Sequence, residues 1–313
     1  MSKPFSLAIH AGAGVIFPEQ MTAARQQSIS ADLTAAVTAG HQILQAGGCA
    51  VDAVVAAVKV LEDSPNFNAG KGSVLTHDEM VEMDASLMDG GTQAAGAVAG
   101  VRHIKNPIEL ARDVMQKSQH VLLIGEGAEQ FAFEHGHQYT EQDYFFTDHR
   151  YEQLLSMRKK GLCGLAEARN ADEHQHGTVG AVALDQSGNL AAATSTGGLT
   201  NKQYGRVGDS ALIGCGTVAE NGVVAVSTTG IGEIFIRKRV AEDVAARMRY
   251  LQEDVHTACD TIIHGELNTM GGEGGLIAID ARGDVHFALN CTGMYRASID
   301  THGQLTVKIY ADD

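Results

Sequence analysis

Five threonines stand at the ends of apolar, β-like runs: Thr178 in HGTVGAVALD, Thr194 and Thr196 in ATSTGG, and Thr228 and Thr229 in STTGIGE. Strands favour threonine, which accounts for any one of them. Together, with glycines beside them, they would gather hydroxyls and N–H groups at one edge of a sheet, where ligands tend to be held. A neutral threonine hydroxyl is a weak nucleophile and needs a base, yet no serine–histidine–aspartate arrangement is legible here. Gly177-Thr178 offers a different source of base. If the chain is cut before Thr178, that residue gains an α-amino group with a pKa of about 7.7–8.0, partly neutral near pH 7. The amine lies on the same residue as the hydroxyl, so little further ordering is required. An amide nitrogen cannot serve, because its lone pair is delocalised; the uncut chain should be inert. The β-methyl limits χ1 and helps aim Oγ1. Glycine before it permits the strained backbone that would expose the 177 carbonyl to attack.

These residues need a frame. Ser6–His10 reads as a buried strand running into the turn AGAG. Thr22 to Gln45 carries Ile29, Leu33, Val37 and Leu44 at helical period, and Ala50 to Glu62 is apolar nearly all round. Asn106-Pro107-Ile108-Glu109 has the form of a helix start with Asn106 as N-cap. VLLIG (121–125) is strand-like. Residues 179–196 and 274–290 are each two apolar runs about a polar turn, two hairpins of one design. VVAVSTTG (223–230) is another buried strand, and Glu233 to Tyr250 reads as a helix. Strands buried on both faces with helices before and after predict a layered α/β sandwich in a single domain. The stretch from about Met157 to His176, charged and aperiodic, is the linker candidate.

Several chemistries are excluded or weak. The net charge of −15 and the lack of any basic cluster beyond Arg158-Lys159-Lys160 argue against nucleic acid. No apolar run reaches membrane-spanning length, so no membrane partner is expected. Gly12-Ala13-Gly14 and Gly230-Ile231-Gly232 follow strands, but Phe17 and Phe235 stand where a dinucleotide fingerprint has its third glycine. His174 and His176 lie in a polar linker without companion ligands. Five scattered cysteines (Cys49, Cys163, Cys215, Cys259, Cys291) form no CxxC pair, and MSKPFSLAIHAGAG has no secretory character. Reduced thiols and a cytoplasmic location are the expectation.

The blocks AIHAGAG (8–14), NAGKGSVLT (68–76), MDASLMDG (83–90), HGTVGAVALD (176–185), ATSTGG (193–198), TNK–GRVGDS (200–210), STTGIGE (227–233), GGLIAID (274–280) and TGMYRA (292–297) follow one another in a known order. In them the chain resembles the plant-type L-asparaginases, or isoaspartyl peptidases, of the N-terminal-nucleophile (Ntn) hydrolases. The resemblance implies an α+β fold, a four-layer αββα sandwich, over 1–313. It also implies self-cleavage into an α subunit (1–177, with the linker at about 157–177) and a β subunit (178–313), assembled as an (αβ)2 heterotetramer. Thr178 would be the nucleophile, Thr196 its hydroxyl partner, and Thr229 with the Gly230 N–H the oxyanion hole. Arg206 and Asp209 would grip the α-carboxylate and α-ammonium of the substrate, a pairing that suits a guanidinium fork and a carboxylate. The Gly232 carbonyl would complete the ammonium site, and Asn68 would border the pocket. Carbonyls of Leu61, Glu62, Ser64, Phe67, Ala69 and Lys71 would hold a structural Na+; no cofactor is implied for catalysis. The expected substrates are L-asparagine and isoaspartyl dipeptides. Gln203-Tyr204, Ala211, Cys215 and Cys291 depart from the family's pattern without removing a catalytic group. Two rivals remain: a glycosylasparaginase-like amidase, which would want a signal peptide and disulfides, and a non-catalytic amino-acid-binding protein using the same grip.

Overall fold

The computed structural model describes residues 4–161 and 175–313. The larger of its two sheets is laid out as β13 (Leu305–Tyr310), β12 (Gly293–Ile299), β1 (Ser6–Gly14), β6 (Val179–Leu184), β7 (Leu190–Thr196), β2 (Met83–Asp89), β3 (Ala95–Val101) and β4 (Leu122–Ile124). A short β5 (Gln175–His176) pairs with the far end of β1. The smaller sheet runs β11 (Val285–Leu289), β10 (Gly274–Asp280), β9 (Val224–Gly230), β8 (Thr217–Glu220), antiparallel throughout.

Alternation along the strands decides what each face meets. Leu7, Ile9 and Ala11 of β1 pack toward α1 (Ala23–Gln45) and α2 (Ala50–Asp63), whereas Ala8 and, after a register shift between His10 and Ala13, Ala13 join the core shared with the smaller sheet. With α3 (Pro107–Lys117), these helices cover the outer face of the larger sheet. Two further helices, α4 (Gly125–Glu134) and α5 (Asp148–Lys159), follow in the chain; α6 (Gly232–Lys238), α7 (Val240–Ala246) and α8 (Val255–Asp260) come after β9. Of these, α7 and α8 cover the smaller sheet, completing the expected αββα sandwich. Close helix packing has a sequence cause at Gly40 of α1: a Cβ there would sit 2.5 Å from Leu7 Cδ1 and 2.7 Å from the Ala53 carbonyl.

Most expected elements are present, with local differences. Thr22 caps α1, accepting from the Arg25 N–H at 3.2 Å. Asn106 precedes α3 but does not cap it; its amide reaches Asp63 at 3.2 Å. The expected helix over 233–250 is broken at Arg239, which adopts a left-handed conformation (φ 53°) between α6 and α7, and it ends in a π-helical turn over Arg247–Leu251. The linker is shorter at both ends than its charge suggested: α5 runs through Lys159, and 175–176 are paired with β1, while 162–174 lie outside the described residues, with Cys163 among them. Cys49, Cys215, Cys259 and Cys291 are free thiols. No helix among the described residues is long and apolar enough to cross a membrane.

Candidate active site

Thr178 lies just before β6 and is buried, and its Oγ1 donates to Thr196 Oγ1 at 3.1 Å. Pairing of β6 with β7 in the register Val179↔Ser195 brings these two hydroxyls together. Thr196 Oγ1 in turn accepts from the Gly198 N–H at 3.0 Å, which aims its lone pairs and leaves it a fixed neighbour for Thr178.

Asn68 organises the backbone around Thr178. Its N–H donates to the Gly177 carbonyl at 3.1 Å and its own carbonyl accepts from the Gly197 N–H at 2.9 Å. Its side chain donates to the Gly198 carbonyl at 2.7 Å and accepts from the Val74 N–H at 2.9 Å. Both glycines are forced by this approach. A Cβ on Gly177 would lie 2.5 Å from Asn68 Cβ, and one on Gly197 2.4 Å from Asn68 Oδ1. Gly177 is therefore needed for contact with Asn68 and not for a left-handed backbone, since it is absent from the positive-φ positions.

The five threonines do not share one sheet edge. Thr178, Thr194 and Thr196 belong to the larger sheet and Thr228 and Thr229 to the smaller, so the site forms where the two sheets face each other. Thr194 takes part in a buried hydroxyl seam between them. His10 Nε2 meets Ser227 Oγ at 2.9 Å, Ser227 meets Thr194 at 2.7 Å, Thr194 meets Thr217 at 2.6 Å, and Thr217 meets Ser86 at 2.7 Å. Burial pushes the His10 imidazole down to about 3, so it is neutral in this seam; the Thr178 main chain lies against it and pulls weakly the other way.

Thr229 is fully buried and its Oγ1 has no hydrogen-bond partner. A buried hydroxyl without a partner is costly in a folded protein, and a donor of this kind is what a developing oxyanion requires. Gly230, next in β9, pairs with Gly274 of β10; a Cβ on it would lie 2.5 Å from both the Glu273 carbonyl and Phe235 Cε2.

Arg206 and Asp209 converge on Gly232. A Cβ at Gly232 would be 2.7 Å from Arg206 Nη2 and 3.0 Å from Asp209 Oδ1, so the missing side chain leaves a space bounded by a cation and an anion. Asp209 is completely enclosed. Burial raises its carboxyl to about 6, against the pull of the Thr228 hydroxyl (2.8 Å to Oδ2) and of Arg206. Thr228 thereby ties Asp209, and with it the expected Arg206–Asp209 clamp, to the strand that carries Thr229. Arg206 is not waiting alone: Nε and Nη2 donate to Glu233 at 2.8 and 2.9 Å. Sequence reading missed Glu233, although GIGE places it one residue after Gly232.

The chain matches the asparaginase family over residues 2–309. It belongs to that family. It is 52% identical over 293 residues to the isoaspartyl peptidase of Escherichia coli (strain K12), covering 93% of this chain and 91% of that one. It is 50% identical over 293 residues to the isoaspartyl peptidase of Salmonella typhimurium, covering 93% and 94%. With the isoaspartyl peptidase/L-asparaginase of Rattus norvegicus it shares 46% over 262 residues, covering 83% and 77%.

In this asparaginase-family chain the proposed cation loop, 61–71, closes α2 and contains Asn68. A Cβ at Gly70 would be 2.2 Å from the Glu62 carbonyl oxygen, and one at Gly72 2.1 Å from that of Phe67. The Leu61 and Ala69 carbonyls each accept one backbone bond, from Ser64 and Gly72, at 3.2 and 3.3 Å, leaving a second lone pair. Neutral carbonyl oxygens of this kind suit a hard cation. Sequence reading also missed the Glu62 side chain, which is fully buried on Ser195 Oγ (2.6 Å) and the Ile108 N–H (3.0 Å), and Arg150, which donates to the Gly72 carbonyl at 2.7 Å.

Proposed function

We propose that this protein is a self-processing amidohydrolase that frees aspartate from isoaspartyl dipeptides and from L-asparagine, with Thr178 as its nucleophile. The observation that carries the reading is the Thr178–Thr196 hydroxyl pair at 3.1 Å, directly after a Gly177 carbonyl held by the Asn68 N–H. The names of the relatives, isoaspartyl peptidase and isoaspartyl peptidase/L-asparaginase, support the substrate class.

In the first reaction Thr178 Oγ1 attacks the Gly177 carbonyl carbon. Charge developing on the carbonyl oxygen falls on the Asn68 N–H, the C–N bond breaks, and the hydroxyl proton ends on the departing nitrogen. Water then hydrolyses the ester, giving an α subunit ending at Gly177 and a β subunit starting at Thr178. The new amine is the base for the second reaction. It takes the Oγ1 proton as Oγ1 attacks the β-carbonyl of the substrate, and it returns a proton to the leaving amine. Thr229 Oγ1 and the Gly230 N–H receive the oxyanion. Arg206 takes the α-carboxylate, and Asp209 with the Gly232 carbonyl takes the α-ammonium. Water activated by the same amine releases aspartate.

The carbonyls of Leu61, Glu62, Ser64, Phe67, Ala69 and Lys71 would hold Na+, whose part would be to stiffen the loop leading into Asn68. The cut protomers would pair as an (αβ)2 assembly in the cytoplasm. The glycosylasparaginase alternative gains nothing from the free thiols. Against the binding-protein alternative, Thr178→Ala decides: it should persist as one full-length band on denaturing electrophoresis and release no ammonia from asparagine. Ammonia release by that variant would remove Thr178 from the mechanism.

A further inference from the structure

The interior face of α5 carries a cation that the reaction above does not use. Arg150 is 4% exposed, and its Nε and Nη1 donate to the Gly72 carbonyl and to Gln153 Oε1 at 2.7 and 2.9 Å. Among the described residues no carboxylate lies within ion-pair distance of it, in a chain with 38 acidic and 23 basic residues. Burial lowers it to about 10, with Arg25 adding a charge of the same sign, so it remains a cation at neutral pH. Close by, the Tyr295 hydroxyl is buried and has no partner. Arg150 and Tyr295 line one recess with Gly12, Gly14, Asn66 and Gly177; its free volume, about 10 Å3, is that of a single water-sized group.

A buried guanidinium bonded only to neutral oxygens, beside a phenol hydroxyl without a partner, is a donor set with no anion to meet it. Its planar fork suits a carboxylate. Gly177 forms part of the wall, so the recess adjoins the peptide bond that is cut. After cleavage, no covalent bond joins 177 to 178. Among the described contacts, pairing with Ala13 and Gly14 and the Asn68 N–H then hold the 175–177 end. Its withdrawal would enlarge the recess and open it to the Thr178 amine. The recess belongs to the larger sheet (β1, β12) and α5, whereas the Arg206–Asp209 clamp is tied to the smaller sheet through Thr228. A dipeptide whose aspartyl half fills the clamp must send its leaving half the other way.

We infer that Arg150 and the Tyr295 hydroxyl form a carboxylate subsite for the leaving amino acid of an isoaspartyl dipeptide. The inference rests on Thr178 being the nucleophile. Asparagine, whose leaving group is ammonia, has nothing to place there. The subsite therefore sets the preference for dipeptide over asparagine.

The test compares β-aspartyl-leucine, its C-terminal amide and asparagine on the matured enzyme. Wild type should favour the free acid over the amide, because only the acid pairs with Arg150. In Arg150→Met, kcat/KM for the acid should fall about 30-fold, as for truncation of one partner of a buried charge pair, with asparagine nearly unchanged. Arg150→Lys should recover part of the loss. Tyr295→Phe, which removes only an unpartnered hydroxyl, should lower the acid alone and keeps the test open if Arg150→Met misfolds. Equal handling of acid and amide by wild type, or parallel loss of dipeptide and asparagine turnover in the variants, would overturn the subsite. Failure of wild type to hydrolyse either substrate would instead overturn the nucleophile on which it rests.

Discussion

Arg206 turns two donors, Nε and Nη2, onto the Glu233 carboxylate at 2.8 and 2.9 Å, so the cation expected to meet the substrate is already oriented by a neighbouring acid. A guanidinium held along one edge presents its other N–H groups in a fixed direction. Removing the acid should loosen that direction without touching Thr178. Glu233→Ala is expected to raise KM for asparagine about tenfold with a smaller change in kcat, since pre-organisation of a binding group is what is lost. Self-cleavage, which involves no free carboxylate, should proceed at the wild-type rate. Steady-state kinetics beside an electrophoretic time course check both, and an unchanged KM would show that Glu233 does not orient the clamp.

The proposed reactions divide their two oxyanions between Asn68 and Thr229. The Gly177 carbonyl already receives the Asn68 N–H at 3.1 Å, whereas the Thr229 hydroxyl is buried and unpartnered. Thr229→Val, which keeps the shape, should leave maturation intact and cut kcat on asparagine by about 100- to 1,000-fold, the usual cost of one oxyanion donor. Because the hydroxyl lost was unsatisfied, Tm should hold or rise. A variant that stalls as full-length protein would assign Thr229 to the first reaction as well.

The parts of this site legible in the sequence are those carried by strand ends. Thr178, Thr196 and Thr229 each close or open an apolar run, and the run's periodicity places them at a sheet's end before any fold is known. Two things are not legible. Which sheet a strand joins depends on long-range pairing such as β1 between β12 and β6, so five threonines on two facing sheets read as one edge. Groups that act from the far side of the fold leave no local pattern either. Arg150 looks like one more charge on a polar helix until α5 is seen to bury it, and Glu62 sits in an apolar run where only the fold shows its side chain on Ser195 and Ile108. The break at Arg239 escaped for the opposite reason: helical period continues through 233–250, and a single left-handed residue does not interrupt it.

The Asp209 carboxyl, raised to about 6 chiefly by burial, should shape the pH profile. Gripping an ammonium requires its charged form, which is lost as pH falls through 6. The Thr178 amine adds a second acidic limb, with an ordinary pKa of about 7.7–8.0. The plot of log kcat/KM for asparagine should therefore rise with unit slope between the two values and more steeply below 6, since kcat/KM reports the free enzyme's groups. Asp209→Asn should abolish binding while raising Tm above pH 6, because a carboxyl whose folded pKa lies above its unfolded one favours folding only while protonated. A kcat/KM profile with unit slope down to pH 5 would remove Asp209 from the clamp.

Glu62 makes the same argument about stability alone. Its Oε1 accepts from Ser195 Oγ and the Ile108 N–H while Oε2 is buried without a partner, and burial lifts the carboxyl to about 8 despite those bonds. The folded state therefore keeps a proton at neutral pH that an unfolded glutamate, at about 4.3, would release. Stability from this group is fully present below the unfolded value and is lost as pH rises through 8. Glu62→Gln supplies a permanently neutral amide with the same acceptor for Ser195 and Ile108. The variant should match wild type near pH 5 and unfold at a higher temperature at pH 9, with processing unaffected. Glu62→Ala, which leaves the Ile108 N–H without its acceptor, should be less stable at every pH. Melting curves from pH 5 to 9 check this, and a Gln variant that melts below wild type at pH 9 would mean that Glu62 is held as the carboxylate.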